Sequence, residues 1–356
     1  MTPSELNELY EQAIGLLRQL ISTPSFSREE QATANMIGGF LASKGIAYQR
    51  HLNNIWAVNK HFDKCKPTIL LNSHHDTVRP SAQYTLSPFV PKEEEGKLYG
   101  LGSNDAGGCL VSLLATFLHL YDRKDMAYNL MLAATAEEEI SGSNGIAAIL
   151  PMLGKIDSAI VGEPTQMNMA VAEKGLLVLN CTAHGKAAHA ANNNGDNAIY
   201  HAIDDINWFR TYDFDKVSDL LGPVKMSVTL IEAGTQHNII PETCSYTVDC
   251  RINECYTHEE ILDTIKSHIK SEVAPRSMRM RSTSIPLDHP LVKAGLQLDR
   301  SYYGSTTLSD KALMPFPALK MGPGDSVRSH MADEYIFTEE IREGIDIYIQ
   351  LLNHIL

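Results

Sequence analysis

Five short apolar runs, at 55–58, 68–72, 129–135, 158–161 and 317–321, recur between stretches with helical spacing. Runs this brief and this apolar read as buried strands. The helices between them carry their own signals. Thr2, Pro3 and Glu5 form a capping box with proline at the first helical position, and Leu6, Leu9, Ala13, Leu16, Leu17 and Leu20 follow at helical spacing. A second helix is predicted from Ser27, with Glu30 three residues on, to Gly45. An apolar helix follows Asp105 to about Tyr121, another spans 143–153, and two more begin at Pro290 and at about Thr338. Alternating buried strands and helices make a layered α/β fold, with the chemistry in loops at the strand ends.

The texture changes after Lys174. Strands are predicted at 176–183, 224–231 and 245–252, and helices at 196–209 and 258–271. This is the pattern of a small inserted α+β domain. The expected division is a discontinuous domain of 1–174 and 287–356, interrupted by one of 175–286. A length of 356 residues accommodates two domains at about 150 residues each.

The net charge of −13 argues against nucleic acid as the main ligand. No apolar run approaches the roughly 18 residues that span a bilayer. No basic segment leads into an apolar one at the N-terminus, so no secretory signal is read. Six cysteines without a CxxC pair read as buried free thiols in a reducing cytoplasm, the expected location.

Five segments place His, Asp or Glu at strand ends or in the loops beyond. In Asn72-Ser73-His74-His75-Asp76, strand period puts His74 and Asp76 on one side, where a carboxylate can orient an imidazole. Alone, His-x-Asp is more often a strand running into a polar loop. Asp105 sits among glycines and small residues at 100–108, either as a helix N-cap or as a carboxylate able to bridge two cations. Glu137, Glu138 and Glu139 follow a buried run. Such a charge run usually marks a solvated face, yet like charges off a core strand repel, and cations relieve that. Glu163 lies between Gly162 and Pro164, and His330 follows the turn Gly322-Pro323-Gly324. Each alone has an ordinary reading. Together they make the nitrogen and oxygen donor set of zinc, and two zinc ions sharing a carboxylate are a hydrolytic device.

At this point the chain resembles the M20 family of metallopeptidases and deacylases over nearly its whole length. The resemblance rests on SHHDTV at 73–78, GLGSNDAGG at 100–108, TAEEEISG at 135–142, GEPT at 162–165, GKAAHA at 185–190, NIIPET at 238–243 and GPGDSVRSHMADE at 322–334. Within the family, the short length, GEPT, AEKG at 172–175 and the lid pattern are most similar to the acetylornithine deacetylase branch and its succinyl-diaminopimelate and acetyl-lysine deacylase relatives. Ser73 stands where many relatives have Gly, Glu137 where the acidic run usually has Asp, and Leu101 and Gly107 where Arg and Lys are common.

The resemblance implies a zinc-peptidase-like catalytic domain, a mixed sheet flanked by helices, with an inserted lid that also forms a homodimer. It implies two zinc ions per chain, with cobalt or manganese as alternatives. His74 and Glu163 fall on the ligands of one ion, Glu139 and His330 on those of the other, and Asp105 on the bridge. Asp76 falls on the acid that orients His74, and Glu138 on the general base. His189 falls on a lid histidine that reaches the partner's site in dimeric relatives. Arg251 and Asn238 fall near the substrate carboxylate. The implied reaction is hydrolysis of an N-acetyl or N-succinyl amino acid, a small substrate of the ornithine type, in arginine biosynthesis. Dipeptidases, carboxypeptidases and aminoacylases share that chemistry. The reading from another class is an inactive binding protein on the same fold.

Overall fold

The computed structural model describes residues 2–356. The chain forms two units. One comprises Met1–Val171, Ile285–Tyr303 and Ser309–Leu356, and the other Ala172–Ser284 and Gly304–Leu308.

The first unit is built on a mixed sheet whose strands lie in the order Gln49–His51, Asn54–Val58, Asn129–Thr135, Thr68–His74, Ser158–Val161, Ala318–Lys320 and Met169–Glu173. The four strands from Asn129–Thr135 to Ala318–Lys320 run parallel. Every residue of Thr68–His74 and Asn129–Thr135 is buried, which is why these runs are apolar without alternation. Leu70, Met131, Ala133, Ala159 and Val161 share one face, packed on Ile146, Ile149, Leu153 and Met314. The helix Gly108–Leu120 packs against the two central strands, and Pro3–Ile21 and Thr338–Asn353 pack on it. The fold is thus a mixed sheet flanked by helices, the layered α/β arrangement read from the buried strands and the architecture the family resemblance implies.

The second unit holds an antiparallel sheet in the order Lys225–Ala233, Thr243–Ile252, Gly175–His184 and Glu272–Pro275. Burial alternates along Gly175–His184 and Thr243–Ile252, so one face meets the core and the other does not. Residues of the helices Ala198–Thr211 and His258–His268 share that core with Leu177, Leu179, Cys181, Cys244, Val248 and Cys250.

Several local expectations are corrected. The second helix spans Gln31–Ser43, and Ser27 does not cap it. The Ser27 hydroxyl donates instead to Asp76 Oδ2 at 2.7 Å, a charged acceptor stronger than a backbone group. The helix predicted over 143–153 is a single turn, Ile146–Ile149, continued as the 3-10 turn Leu150–Met152, where Pro151 has no N–H to extend an α-helix. The thiols are all free, but Cys65 is exposed and Cys255 half-buried. No helix among the described residues is long and apolar enough to cross a membrane.

Reciprocal capping fixes the start of His258–His268. Glu260 N donates to Thr257 Oγ1 at 3.1 Å, and Thr257 N donates to Glu260 Oε2 at 2.7 Å. Thr257→Ala should lower the unfolding free energy by about 1 kcal/mol, read from urea denaturation, whereas Thr257→Ser should stay near wild type.

Candidate metal centre

Because four neighbouring strands run parallel, His74, Thr135, Val161 and Lys320 end on one edge of the sheet. The segments that follow them carry Asp76, Glu138 and Glu139, Glu163, and His330, while Asp105 comes from the turn Ser103–Gly107. His74 is 1% exposed. Its Nδ1 lies 3.0 Å from the Asp76 carbonyl and 3.4 Å from Asp76 Oδ1. A carbonyl only accepts, so Nδ1 carries a hydrogen. The other nitrogen, Nε2, faces Asp105 Oδ1 at 3.2 Å and Glu138 Oε2 and Glu163 Oε1 at 3.9 Å each.

Asp105 stands between two imidazoles, with Oδ2 3.7 Å from His330 Nε2. His330 Nε2 is 2.8 Å from Glu139 Oε2. Asp105 does not cap the following helix, whose N-cap position is Gly107. It lies in the turn Ser103–Gly107, after Gly102 at φ 76°, and the peptide bond that follows it is cis. His330 itself has a left-handed backbone, φ 59°.

The adjacent glutamates 138 and 139 thus address different histidines. Their backbone explains how. Glu138 N donates to Asp76 Oδ1 at 3.0 Å and Glu139 N to Asp76 Oδ2 at 3.2 Å. Glu137 N donates to Glu30 Oε1 at 3.2 Å, and Glu137 has φ 54°. The Glu137 carboxylate turns away to Asn144, whose Nδ2 donates at 2.8 Å. Three consecutive amides are therefore held by two buried carboxylates, Glu30 and Asp76. The Ser73 hydroxyl donates to Gly162 O at 2.8 Å, joining the strand of His74 to the loop of Glu163.

Sequence reasoning missed Glu30 as more than a cap residue, and missed Asp310 altogether. The Thr135 hydroxyl donates to Asp310 Oδ2 at 2.7 Å behind the strand ends. Burial pushes Asp310 up to about 6. Nothing local in Ser309-Asp310-Lys311 signals a site.

Two imidazoles face five carboxylates, those of Asp76, Asp105, Glu138, Glu139 and Glu163. The protonation equilibria register the imbalance. Burial disfavours a charge on His74, yet hydrogen bonds to Asp105 and Asp76 raise it well above the ordinary value. Burial, with Glu163, Asp310 and Glu139 nearby, raises Glu138 well above the usual carboxylate range. Burial likewise raises Glu139. The hydrogen bond to Glu139 pushes His330 up to about 9. Two groups of potential ligand atoms, His74–Glu138–Glu163 and His74–Asp105–Glu139, each lie within 4.8 Å of one another. The donor set is nitrogen and oxygen with surplus negative charge, so it fits divalent cations such as zinc.

His189, Asn238 and Arg251 belong to the second unit. Ala188–His189 pairs with Ile239–Ile240, and Ala190 N donates to Asn238 O at 2.9 Å, so His189 and Asn238 share one ribbon. His189 Nδ1 accepts from Ala191 N at 3.2 Å. Arg251 lies on another strand and forks onto Asp249, with bonds of 2.8 and 3.1 Å.

Residues 70–354 match the model of peptidase family M20/M25/M40, and the chain belongs to that family. It is 28% identical to the acetylornithine deacetylase of Klebsiella pneumoniae, over 96% of this chain and 97% of that protein. It is 27% identical to the succinyl-diaminopimelate desuccinylase of Corynebacterium glutamicum, over 96% of each. Its fold is similar to that of the M20 family metallo-carboxypeptidase Sso-CP2 from Sulfolobus solfataricus, with a TM-score of 0.77 at 17% identity, covering 96% of this chain and 98% of that one.

Asp76→Asn should destabilise the chain by about 2 kcal/mol in urea denaturation, because a carboxamide presents a donor to one of two amide N–H groups. A second expectation concerns pH. In the cation-free chain the His330–Glu139 pair stabilises the fold fully below about pH 6.5 and loses that contribution as pH rises through about 9. His330 is 54% exposed, which limits the effect to under about 1 kcal/mol. Thermal unfolding of chelated wild type and His330→Ala should therefore converge at alkaline pH.

Proposed function

We propose that this M20-family chain is a metal-dependent amide hydrolase that removes an N-acetyl or N-succinyl group from an amino acid of the ornithine type, in arginine biosynthesis. The observation that carries the proposal is His74 Nε2, surrounded within 4 Å by Asp105, Glu138 and Glu163, with Asp105 extending to a second imidazole at His330. The names of the deacetylase and desuccinylase relatives supply the substrate class.

In this reading His74 and Glu163 would hold one divalent cation and Glu139 and His330 the other, with Asp105 contributing to both. Zinc is the first choice, with cobalt or manganese as alternatives. The chemistry such cations would supply is a lowering of the pKa of water from about 15.7 toward about 7 and polarisation of an acyl carbonyl. Asp76 keeps the hydrogen of His74 on Nδ1, leaving Nε2 as the ligand atom. Glu138, raised by its burial, accepts a proton from water and returns it to the departing amine nitrogen. The products are a carboxylic acid and a free amino acid.

The second unit is assigned to substrate contact and homodimer formation. Leu230 and Ile231 are exposed on Lys225–Ala233, an edge strand of its sheet, which suits pairing with a second copy. His189 lends its Nε2–H to the acyl oxygen in the partner's site. Arg251, preset by Asp249, and Asn238 meet the substrate carboxylate.

The test is a ninhydrin assay over acetyl and succinyl derivatives of ornithine, lysine, citrulline and diaminopimelate, with dipeptides alongside. Turnover of one N-acyl amino acid should vanish with chelator and return with zinc. Glu138→Ala should keep its zinc and lose about 10²–10⁴-fold in rate. Hydrolysis of dipeptides alone would assign a peptidase instead. Full zinc content with no turnover would assign a binding protein.

A further inference from the structure

We propose that Glu334 is a positioning residue for this centre: its carboxylate determines where Asp105 stands. The inference rests on the reading of Asp105 as the shared ligand. Glu334 is 2% exposed, yet its carboxylate accepts three backbone N–H groups from one short loop. Asn104 N and Asp105 N donate to Oε1 at 2.8 and 2.9 Å, and Gly102 N donates to Oε2 at 2.9 Å. The Glu334 carbonyl accepts Gly100 N at 2.9 Å as well. The loop that carries Asp105 is therefore moulded onto one side chain 229 residues away in sequence.

That side chain lies four residues beyond His330. The segment that presents His330 to Glu139 thus returns to hold the loop of Asp105, whose Oδ2 is 3.7 Å from the same imidazole. A shift of this segment moves both groups together, and their spacing is kept.

A neutral acceptor would satisfy the amides without adding a charge beside Asp105. Burial and the neighbouring Asp105 push the Glu334 carboxyl up to about 8, a cost of ionising it beside the cluster that cations in the centre would offset. Glutamine cannot reproduce the arrangement. It has one carbonyl oxygen, and its amide N–H would oppose either Gly102 N–H or the pair from Asn104 and Asp105.

The experiment titrates cobalt(II) into chelator-stripped full-length chains by calorimetry and records the absorption of bound cobalt. The variants are Glu334→Gln, Glu334→Asp and Asp333→Asn. Asp333 is the matched control. Its carboxylate accepts Thr85 N at 2.9 Å and Leu86 N at 2.8 Å, both on Oδ1, so asparagine there removes a charge from the same segment while its one carbonyl oxygen can keep both bonds.

Wild type should bind two cobalt ions. Glu334→Gln should bind one of them about 10–100-fold more weakly, with an altered cobalt spectrum. Asp333→Asn should bind two with wild-type affinity and spectrum. Should Glu334→Gln fail to fold, Glu334→Asp, which keeps the charge but withdraws it by one methylene, should weaken the same ion. Unchanged affinity and spectrum in the folded Glu334 variant overturn the proposal, as does equal weakening in Asp333→Asn. A wild-type chain that binds no cobalt overturns the metal-centre reading and this inference together.

Discussion

Carboxylates repel one another, and this fold buries several of them within ligand distance around His74 and His330. At about 4.8 Å and an effective dielectric near 20, one uncompensated pair costs about 3–4 kcal/mol. A few such pairs rival the roughly 5–15 kcal/mol that holds a whole domain together. The arrangement is tolerable with positive charge at its centre, protons on the imidazoles or bound cations, or with protons on the carboxylates themselves, the direction in which Glu138 and Glu139 are raised. The rest of the first unit is organised to keep the groups from relaxing apart. Parallel strands deliver them to one sheet edge, and a fully buried strand pair prevents that edge from fraying.

Local pinning completes what the sheet begins. Asp76 holds the amides of Glu138 and Glu139, Glu30 holds that of Glu137, and Glu334 holds those of the Asp105 loop. Each pin is a carboxylate accepting backbone N–H groups, among the stronger hydrogen bonds a protein makes. The side chains at the centre inherit rigid backbones, so the geometry exists before any ligand arrives. At Asp76, which His74 holds below the usual carboxylate range despite its burial, the same device adds negative charge near the site and deepens the field that a cation would meet.

How much of this is legible in the chain depends on range. Buried strands announce themselves because a strand covered on both faces needs no alternation of apolar and polar residues, whereas the alternation in 245–252 reports one covered face. His74, Glu139 and Glu163 stand out because polar residues shortly after apolar runs are conspicuous, whereas Asp105 and His330, set in glycine-containing loops, join them through the resemblance to the M20 family. Ser27 misleads because Ser-x-x-Glu is a cap by local rules, whereas its hydroxyl finds Asp76 49 residues away. Glu30, Asp310 and Glu334 are ordinary acids in their neighbourhoods. Their partners lie 107, 175 and 229 residues distant, and no local pattern encodes which loop the sheet will bring to them.

The divergence of Glu138 and Glu139 shows how backbone register becomes chemistry. Neighbouring side chains separate only if the turn between them is fixed. Here it is fixed three times, by Glu30 on one amide and by the two oxygens of Asp76 on the next two. The left-handed conformation of Glu137 and the grip of Asn144 on its carboxylate set which glutamate comes first. A slip of one residue would aim Glu137 where Glu138 now lies and Glu138 where Glu139 now meets His330. It would also break all three amide contacts, each to a buried charge that would lose its partner, a penalty of about 1–3 kcal/mol apiece or more. A run of three identical residues carries no register of its own. The carboxylates behind it supply one, and the side chains in front can then hold distinct positions.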